Sequence, residues 1–351
     1  MLLDPVTFDL LPRAAEVVAR ARDSLAVKGE LPASQVELVT PPAHTVAEAV
    51  EALTAIRRRA LAAAHGIGYL GAAGVHPFAG PEGELTAGPR YERTVSEYGF
   101  LARLQLIFGL HVHVAVRPVE RALAVYNELR SHLPELAAVA SNSPFYLGAD
   151  TGLQSIRPKI NEMLPRQGVP PAFGSVEDLA EALGWSARAG GWPGVRQWWW
   201  EARLHPWLGT VEVRVCDAQT GVAETAALAA LIQSLCVWLA DRYDCGDLPQ
   251  PAATWRIEEN RWSACRHGVH GTLADVRTGV PVPTRDRISA LLAELAPTAA
   301  RLGCAEELEG VTALLASPPA DRQRAVAAEV GPRGVARWLA ARFVEHGEDR
   351  A

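Results

Sequence analysis

Thr210-Val211-Glu212-Val213-Arg214-Val215-Cys216-Asp217-Ala218-Gln219-Thr220 is the stretch on which the reading of this chain turns. Side chains of a β-strand point alternately to its two faces. Val211, Val213 and Val215 therefore share one face, suited to packing on a helix layer, while Glu212 and Arg214 share the other. Two further stretches have the same form. His111-Val112-His113-Val114 sets two imidazoles on its polar side, and Gln35-Val36-Glu37-Leu38 sets a glutamine and a glutamate there. If the three strands are neighbours, one sheet face collects Glu37, His111, His113, Glu212 and Arg214. Carboxylates with an occasional imidazole suit Mg²⁺ or Mn²⁺, and the planar fork of an arginine suits a phosphate. Each piece also has a plainer explanation: a solvated strand with a cross-strand ion pair, two hydrogen-bonded histidines, or nothing particular for Gln-Val-Glu.

Outward from these strands the chain reads mostly as helix. Pro12 to Ala26, Thr45 to His65, Glu92 to Phe108, Pro118 to Ala140, Val176 to Leu183 and Gly221 to Tyr243 have helical spacing or composition. Thr45-Val46-Ala47-Glu48 has the form of a capping box, and Pro134 must break or kink the helix that contains it. Tyr69 to Gly74 and Leu110 to Val116 read as strands. Gly80 to Pro89, Ser143 to Gly152, Pro165 to Gly174 and Gly190 to Gly194 read as loops. The last hundred residues are mainly helical: Pro251 to Trp262, Thr284 to Leu295, Ala320 to Glu329 and Val335 to His346. With no internal repeat, residues 1–351 read as one domain whose portion from 283 onward is helical.

Composition narrows the function. The 351 residues are 49% hydrophobic and 21% charged, which excludes intrinsic disorder as a whole-chain description. The net charge of −6 offers no basic excess for a nucleic-acid partner. No run reaches the ~18 consecutive apolar residues of a membrane span; Ala226 to Ala240 is interrupted by Gln233 and Ser234 and reads as a buried helix. The start, Met1-Leu2-Leu3-Asp4-Pro5, lacks the layout of a signal peptide. Five cysteines without a C-x-x-C pair suggest reduced thiols and a cytoplasmic protein.

Other chemistry-bearing patterns are absent or weak. There is no P-loop, no G-x-G-x-x-G after a strand and no G-x-S-x-G elbow. Cys265-Arg266-His267 puts adjacent residues on opposite faces of any strand. The run Trp198-Trp199-Trp200 is expected to divide between core and rim.

In the segments that remain, the chain resembles the carboxylate–amine ligases of the type 2 glutamate–cysteine ligase family. The resemblance runs along nearly the whole chain. It is carried by Gln35-Val36-Glu37, Gly109 to Val114, Ser143-Pro144-Phe145, Gly148 to Gly152, Ser155-Ile156-Arg157 and Glu201-Ala202-Arg203-Leu204-His205-Pro206. Gly209 to Thr220, Glu259-Asn260-Arg261-Trp262 and Arg266-His267-Gly268 complete it. The resemblance implies an α+β fold of glutamine-synthetase type: a curved, mostly antiparallel sheet with helices on its outer face and ATP and Mg²⁺ or Mn²⁺ on its polar face. It also implies the reaction. ATP phosphorylates a carboxylate, glutamate's γ-carboxylate by the usual assignment, and the amine of cysteine attacks the acyl phosphate, giving an amide, ADP and phosphate.

By the same resemblance Glu37, His111 and Glu212 would be metal ligands or line the metal's surroundings, and Arg214 would face the phosphates. Arg157 and Arg203 would hold the phosphoryl group or the substrate carboxylate, and Asn260 and Arg261 would stand at the nucleotide's edge of the site. Plainer alternatives are ion pairs of Arg203 with Glu201 and of Arg261 with Glu258. Two departures stand out. Family members usually open with a strand reading roughly Gly-Val-Glu-x-Glu before Leu-Leu-x-Asp-Pro, and this sequence opens at the latter. Glu201 and Leu204 replace the usual Asp and Pro beside Arg203. A non-catalytic relative that binds nucleotide or amino acid is therefore the alternative expectation, with a metal-dependent hydrolase on the His-x-His strand a distant third. The expected partners are small amino acid substrates, with self-association through Trp- and Ala-rich surfaces.

Overall fold

The structure is a computed structural model and describes residues 1–22, 25–189 and 197–345; the loop expected at 190–194 lies outside the described residues. Among the described residues the strands are β1 (Leu2–Leu3), β2 (Val27–Gly29), β3 (Val36–Leu38), β4 (Tyr69–Leu70), β5 (Val112–Ala115) and β6 (Phe145–Tyr146). They continue with β7 (Ala149–Asp150), β8 (Ala202–His205), β9 (Thr210–Val213), β10 (Thr272–Ala274) and β11 (Pro281–Pro283). Every named pair is antiparallel: β1 with β4, β2 with β3, β6 with β7, β10 with β11, and a three-stranded sheet in the order β5-β9-β8.

These short pieces run on from one another. Gly71 N–H donates to Met1 O at 3.0 Å and Phe108 N–H to Gly74 O at 2.9 Å, and single bridges pair Val75 with Ile107 and Gly109 with Asp217. Segments 1–3, 69–75, 107–115, 210–217 and 202–205 therefore lie side by side as one interrupted, mostly antiparallel array. The fold class is the α+β one expected. β3 reaches this array only at its other end, where Leu2 N–H donates to Ser34 O at 2.8 Å. It pairs with β2, Lys28 opposite Glu37, and is not a neighbour of β5 or β9. The expectation that β3 stands beside β5 and β9, with Glu37 on a face shared with Glu212, is thus corrected: β3 pairs with β2.

Helices cover the apolar face of the β5-β9-β8 sheet. Val114, Ala202, Leu204, Val211 and Val213 share a core with Val125 and Leu129 of helix Val119–Leu129 and with Leu228, Leu231 and Leu235 of helix Val222–Asp244. Burying each of the valines and leucines contributes about 1.5–3 kcal/mol. By length and composition Val222–Asp244 could cross a membrane, yet 61% of its apolar window is buried within the protein, as the sequence reading expects. Thr45 caps helix Val46–Ala64 by accepting from Glu48 N–H at 3.2 Å, and Glu48 reaches back to His44 N–H at 2.8 Å. Pro134 does break its helix: Val119–Leu129 passes through a 3-10 turn into Leu133–Ala140, where the proline sits in the first turn and no backbone N–H is missed.

The helix expected over 92–108 instead spans Pro89–Tyr98 and Phe100–Arg103, divided at Gly99 with φ 54°; Ile107 and Phe108 are drawn out by pairing with segment 74–75. At the end of the chain, helix Pro319–Glu345 is bent at Gly331 (φ 72°), which corresponds to the two separate helices expected there. β8, unmarked in the sequence reading, becomes the third strand of the central sheet.

Candidate active site

Register assembles the site. Glu212 of β9 lies opposite His113 of β5 on one side and Arg203 of β8 on the other, while Thr210 lies opposite His205. With period two, the face away from the helices gathers Arg203, His205, Thr210, Glu212, Arg214 and His113. The pairing of segment 107–115 with 210–217 shifts by one between Val112–Val213 and Gly109–Asp217. This is a bulge on the β9 side, a device that re-aims side chains, and Arg214 leaves it toward Glu212 and His111.

Glu212 is the centre. Its side chain is 2% exposed, and both of its oxygens are engaged. Arg203 donates from Nε to Oε2 and from Nη2 to Oε1 at 3.2 Å, and Arg214 donates from Nη1 to Oε1 at 2.6 Å. Burial pushes the carboxyl pKa up, but the charges of Arg214 and Arg203 outweigh it and hold Glu212 well below the usual carboxylate range. His111 Nδ1 lies 3.3 Å from Arg214 Nη1 and 4.0 Å from Glu212 Oε1. His113 Nε2 lies 3.6 Å from Glu212 Oε1, and its Nδ1 lies 3.0 Å from Thr210 Oγ1. Burial, reinforced by Arg214, pushes His111 well below the usual imidazole range, and burial lowers His113 against the pull of Glu212. His205 stacks edge-on against His113 at 5.7 Å between ring centroids. The alternation Ala202-Arg203-Leu204-His205 was the signal that marks His205 as part of this face.

Arg157 is close by but not on the open face. It is buried, donating from Nη1 to Val215 O at 3.1 Å and from Nη2 to Arg214 O at 3.0 Å, with Nη1 3.7 Å from Asp217 Oδ1. It therefore fixes the main chain that carries Arg214. Gly109 makes the close approach possible: a Cβ there would lie 2.5 Å from Arg157 Nη2. Asp217 is wholly enclosed and accepts from Asn142 N–H at 2.8 Å, Ser143 Oγ at 2.7 Å and Ser155 Oγ at 3.0 Å. Among the described residues the Nε–H groups of Arg157 and Arg214 are buried without a hydrogen-bond partner.

Two residues expected at the nucleotide's edge have structural partners. Asn260 grips β10, donating to Ala274 O and accepting from Ala274 N–H, each at 2.7 Å. Arg261 is buried in a fork with Glu201, Nε to Oε2 at 2.5 Å, and donates to Glu162 Oε1 at 2.7 Å. The carboxylate partner of Arg261 is thus Glu201 rather than Glu258, and that of Arg203 is Glu212 rather than Glu201. Glu201 also accepts Arg214 N–H on its main-chain oxygen at 2.7 Å, so this pair anchors the start of β8. The tryptophan run divides as expected. Trp198 is buried and stacks on Phe173 at 6.0 Å, and Trp199 meets Tyr98 edge-on at 5.4 Å. Trp198 O accepts from Arg203 Nη1 at 3.4 Å.

The residues present do not fit a resident metal ion. Among the described residues no group of three or more His, Cys, Asp or Glu is arranged to hold one. Glu37 lies on the β2–β3 ribbon, and Glu212 already has a guanidinium on each oxygen. The expected metal set of Glu37, His111 and Glu212 is therefore not assembled. What the face offers is an electropositive surface for an anion.

Solved structures share this fold. Glutamate–cysteine ligase (gshA) from Francisella tularensis, in complex with AMP, superposes with a TM-score of 0.70 at 12% identity, covering 99% of this chain and 86% of that one. A bifunctional glutathione synthetase from Pasteurella multocida gives 0.60 at 16% identity, covering 98% of this chain and 49% of that one. Among sequence relatives, a Rubrobacter xylanophilus protein provisionally named glutamate–cysteine ligase 2-3 is 42% identical over 336 residues, covering 94% of this chain and 91% of the relative. A Gloeobacter violaceus protein provisionally named glutamate–cysteine ligase 2 is 37% identical over 333 residues, covering 93% and 89%. The profile of glutamate–cysteine ligase family 2 matches residues 1–340, and the chain belongs to that family.

Proposed function

We propose that this protein is an ATP-dependent carboxylate–amine ligase that joins the γ-carboxylate of glutamate to the amine of cysteine. The observation that carries the proposal is the pair Arg203 and Arg214 around a buried Glu212, with Arg157 behind, on the open face of the sheet. A carboxylate oxygen attacks the γ-phosphorus of ATP and ADP leaves. The cysteine amine then attacks the acyl carbon, the C–O bond to phosphate breaks, and the amine proton passes to phosphate or water. Negative charge grows on the phosphoryl oxygens in the first step and on the acyl oxygen in the second. Arginines fixed in advance stabilise that charge without reorganising. Arg214 is the group we assign to the transferred phosphoryl, and Arg203 the one nearest the hairpin side. Mg²⁺, implied by the resemblance, has no ligand set among the described residues. The cysteines of this chain are free, four of them buried, in keeping with the cytoplasmic location we propose.

The test is ADP release by the purified chain with glutamate and cysteine. Turnover that falls by about 10²-fold or more in Arg214→Ala, with an unchanged melting curve, supports the reading. Saturable ATP binding without turnover for any acid and amine pair would replace it with the non-catalytic alternative.

A further inference from the structure

We propose that this face is a phosphate-type anion site that works without a resident divalent cation, with Glu212 acting as the positioning residue of Arg203 and Arg214 rather than as a metal ligand. The anion's identity as a phosphoryl group rests on the ligase reading; the rest stands on geometry. A cation seated on Glu212 would share its oxygens with Arg203 on Oε2 and with Arg214 on Oε1, setting two guanidiniums beside a divalent charge. Each imidazole has its Nδ1 engaged, His111 toward Arg214 at 3.3 Å and His113 toward Thr210 Oγ1 at 3.0 Å. The charge balance points the same way. Two guanidiniums face one carboxylate, and among the described residues Arg214 keeps a buried Nε–H with no acceptor.

Glu212 has a specific geometric task in this arrangement. Arg203 and Arg214 approach it from β8 and from the bulge after β9, and one carboxylate spanning both holds two like charges close together. An incoming phosphate oxygen then meets donors already in place, which is the condition for strong binding by charge-assisted hydrogen bonds. Arg157, donating to Arg214 O at 3.0 Å, keeps the backbone of this clamp from shifting.

The probe is inorganic pyrophosphate, titrated calorimetrically into the full chain in excess EDTA, with Mn²⁺ alone titrated separately. The expected results are saturable pyrophosphate binding without metal, tenfold or more weaker in both Arg214→Ala and Arg203→Ala. Glu212→Gln should also weaken pyrophosphate binding, because one amide oxygen no longer holds both guanidiniums together; binding as tight as the parent's would overturn its positioning role. Mn²⁺ alone should give no saturable heat. Pyrophosphate binding only in the presence of Mg²⁺ or Mn²⁺ would overturn the proposal. So would Mn²⁺ binding lost in Glu212→Gln, or pyrophosphate binding that ignores both arginine substitutions. Thermal melts identify a variant that fails to fold, and Arg214→Lys, which keeps the charge but loses the fork, then takes its place with the same expected weakening. The two readings fail separately: metal-free anion binding without turnover removes the ligase and keeps the site, whereas turnover with strictly metal-dependent anion binding does the reverse.

Discussion

Gly74→Ala probes the buried support of the site with a single methyl group. The added carbon would lie 2.4 Å from Asp217 Cγ, 2.5 Å from its Oδ2 and 2.7 Å from Ser143 Oγ. Carbon atoms pack at roughly 3.5–4.0 Å, so the carboxyl must retreat by about 1 Å. It has nowhere easy to go, because Asn142 N–H, Ser143 Oγ and Ser155 Oγ hold it from three directions. Overpacking costs about 1–3 kcal/mol and losing one buried hydrogen bond to a charged group about 1.5–3 kcal/mol. Loss of glycine's freedom in the unfolded chain returns about 0.4–1 kcal/mol. The net expectation is a destabilisation of about 2–5 kcal/mol. Equilibrium urea unfolding, followed by two spectroscopic probes whose transitions coincide, measures it. Gly80→Ala is the control: nothing lies within 4 Å of its Cβ position, and it should stay within about 0.5 kcal/mol of the parent. A Gly74→Ala protein within about 1 kcal/mol of the parent would show that the Asp217 network yields freely and does not brace Arg157 and Arg214.

Three other expectations concern residues away from the open face. His76 is buried, its Nε2 2.9 Å from Phe8 O and its Nδ1 accepting Ala79 N–H at 2.9 Å; burial lowers its pKa from 6.5 to about 4, against the pull of the Phe8 carbonyl. The neutral ring stabilises the fold above pH 6.5, and that contribution fades as pH falls from 6.5 to 4, by up to about 3 kcal/mol. Stability measured across this window should flatten in His76→Asn, and an unchanged slope would contradict the assignment. Asn260→Ala should cost about 2 kcal/mol while leaving KM for ATP unaltered; a raised KM with normal stability would return Asn260 to the nucleotide. Glu201→Gln strips Arg261 of its buried partner and should cost about 3–5 kcal/mol by chemical unfolding, whereas a loss under 1 kcal/mol would mean that Glu162 alone suffices.

How much of this was legible in the sequence depends on the range of the interaction. Alternation in Thr210 to Val215 and in His111 to Val114 is local, and it correctly predicted polar and apolar faces. The break at Pro134 and the cap at Thr45 are local too. Which strands become neighbours is not local: Gln35 to Leu38 has the same alternation as β5 and β9, yet backbone pairing with β2 takes Glu37 elsewhere. β8 gives only a short signal, four residues wedged between a tryptophan run and Pro206, so the sequence alone does not place His205 on the site. Arg157 and Arg261 show the other limit. Their residue type suggests anion recognition, but their partners, Arg214 O and Glu201, are supplied by segments about 60 residues away.

The β8–β9 hairpin carries one more consequence, concerning how such a protein can change over time. Its turn from Pro206 to Gly209 is tight, with Leu208 and Gly209 both bonded back to His205 O. Adding or deleting a single residue there would slide β8 by one position against β9. Arg203 and His205 would then be driven among the helices, and Ala202 and Leu204 would surface in their place. A point substitution at 203 or 212 removes one contact; a one-codon change in the turn would invert the strand. The length of this loop is therefore expected to tolerate less variation among relatives than the identities of the side chains it brings face to face.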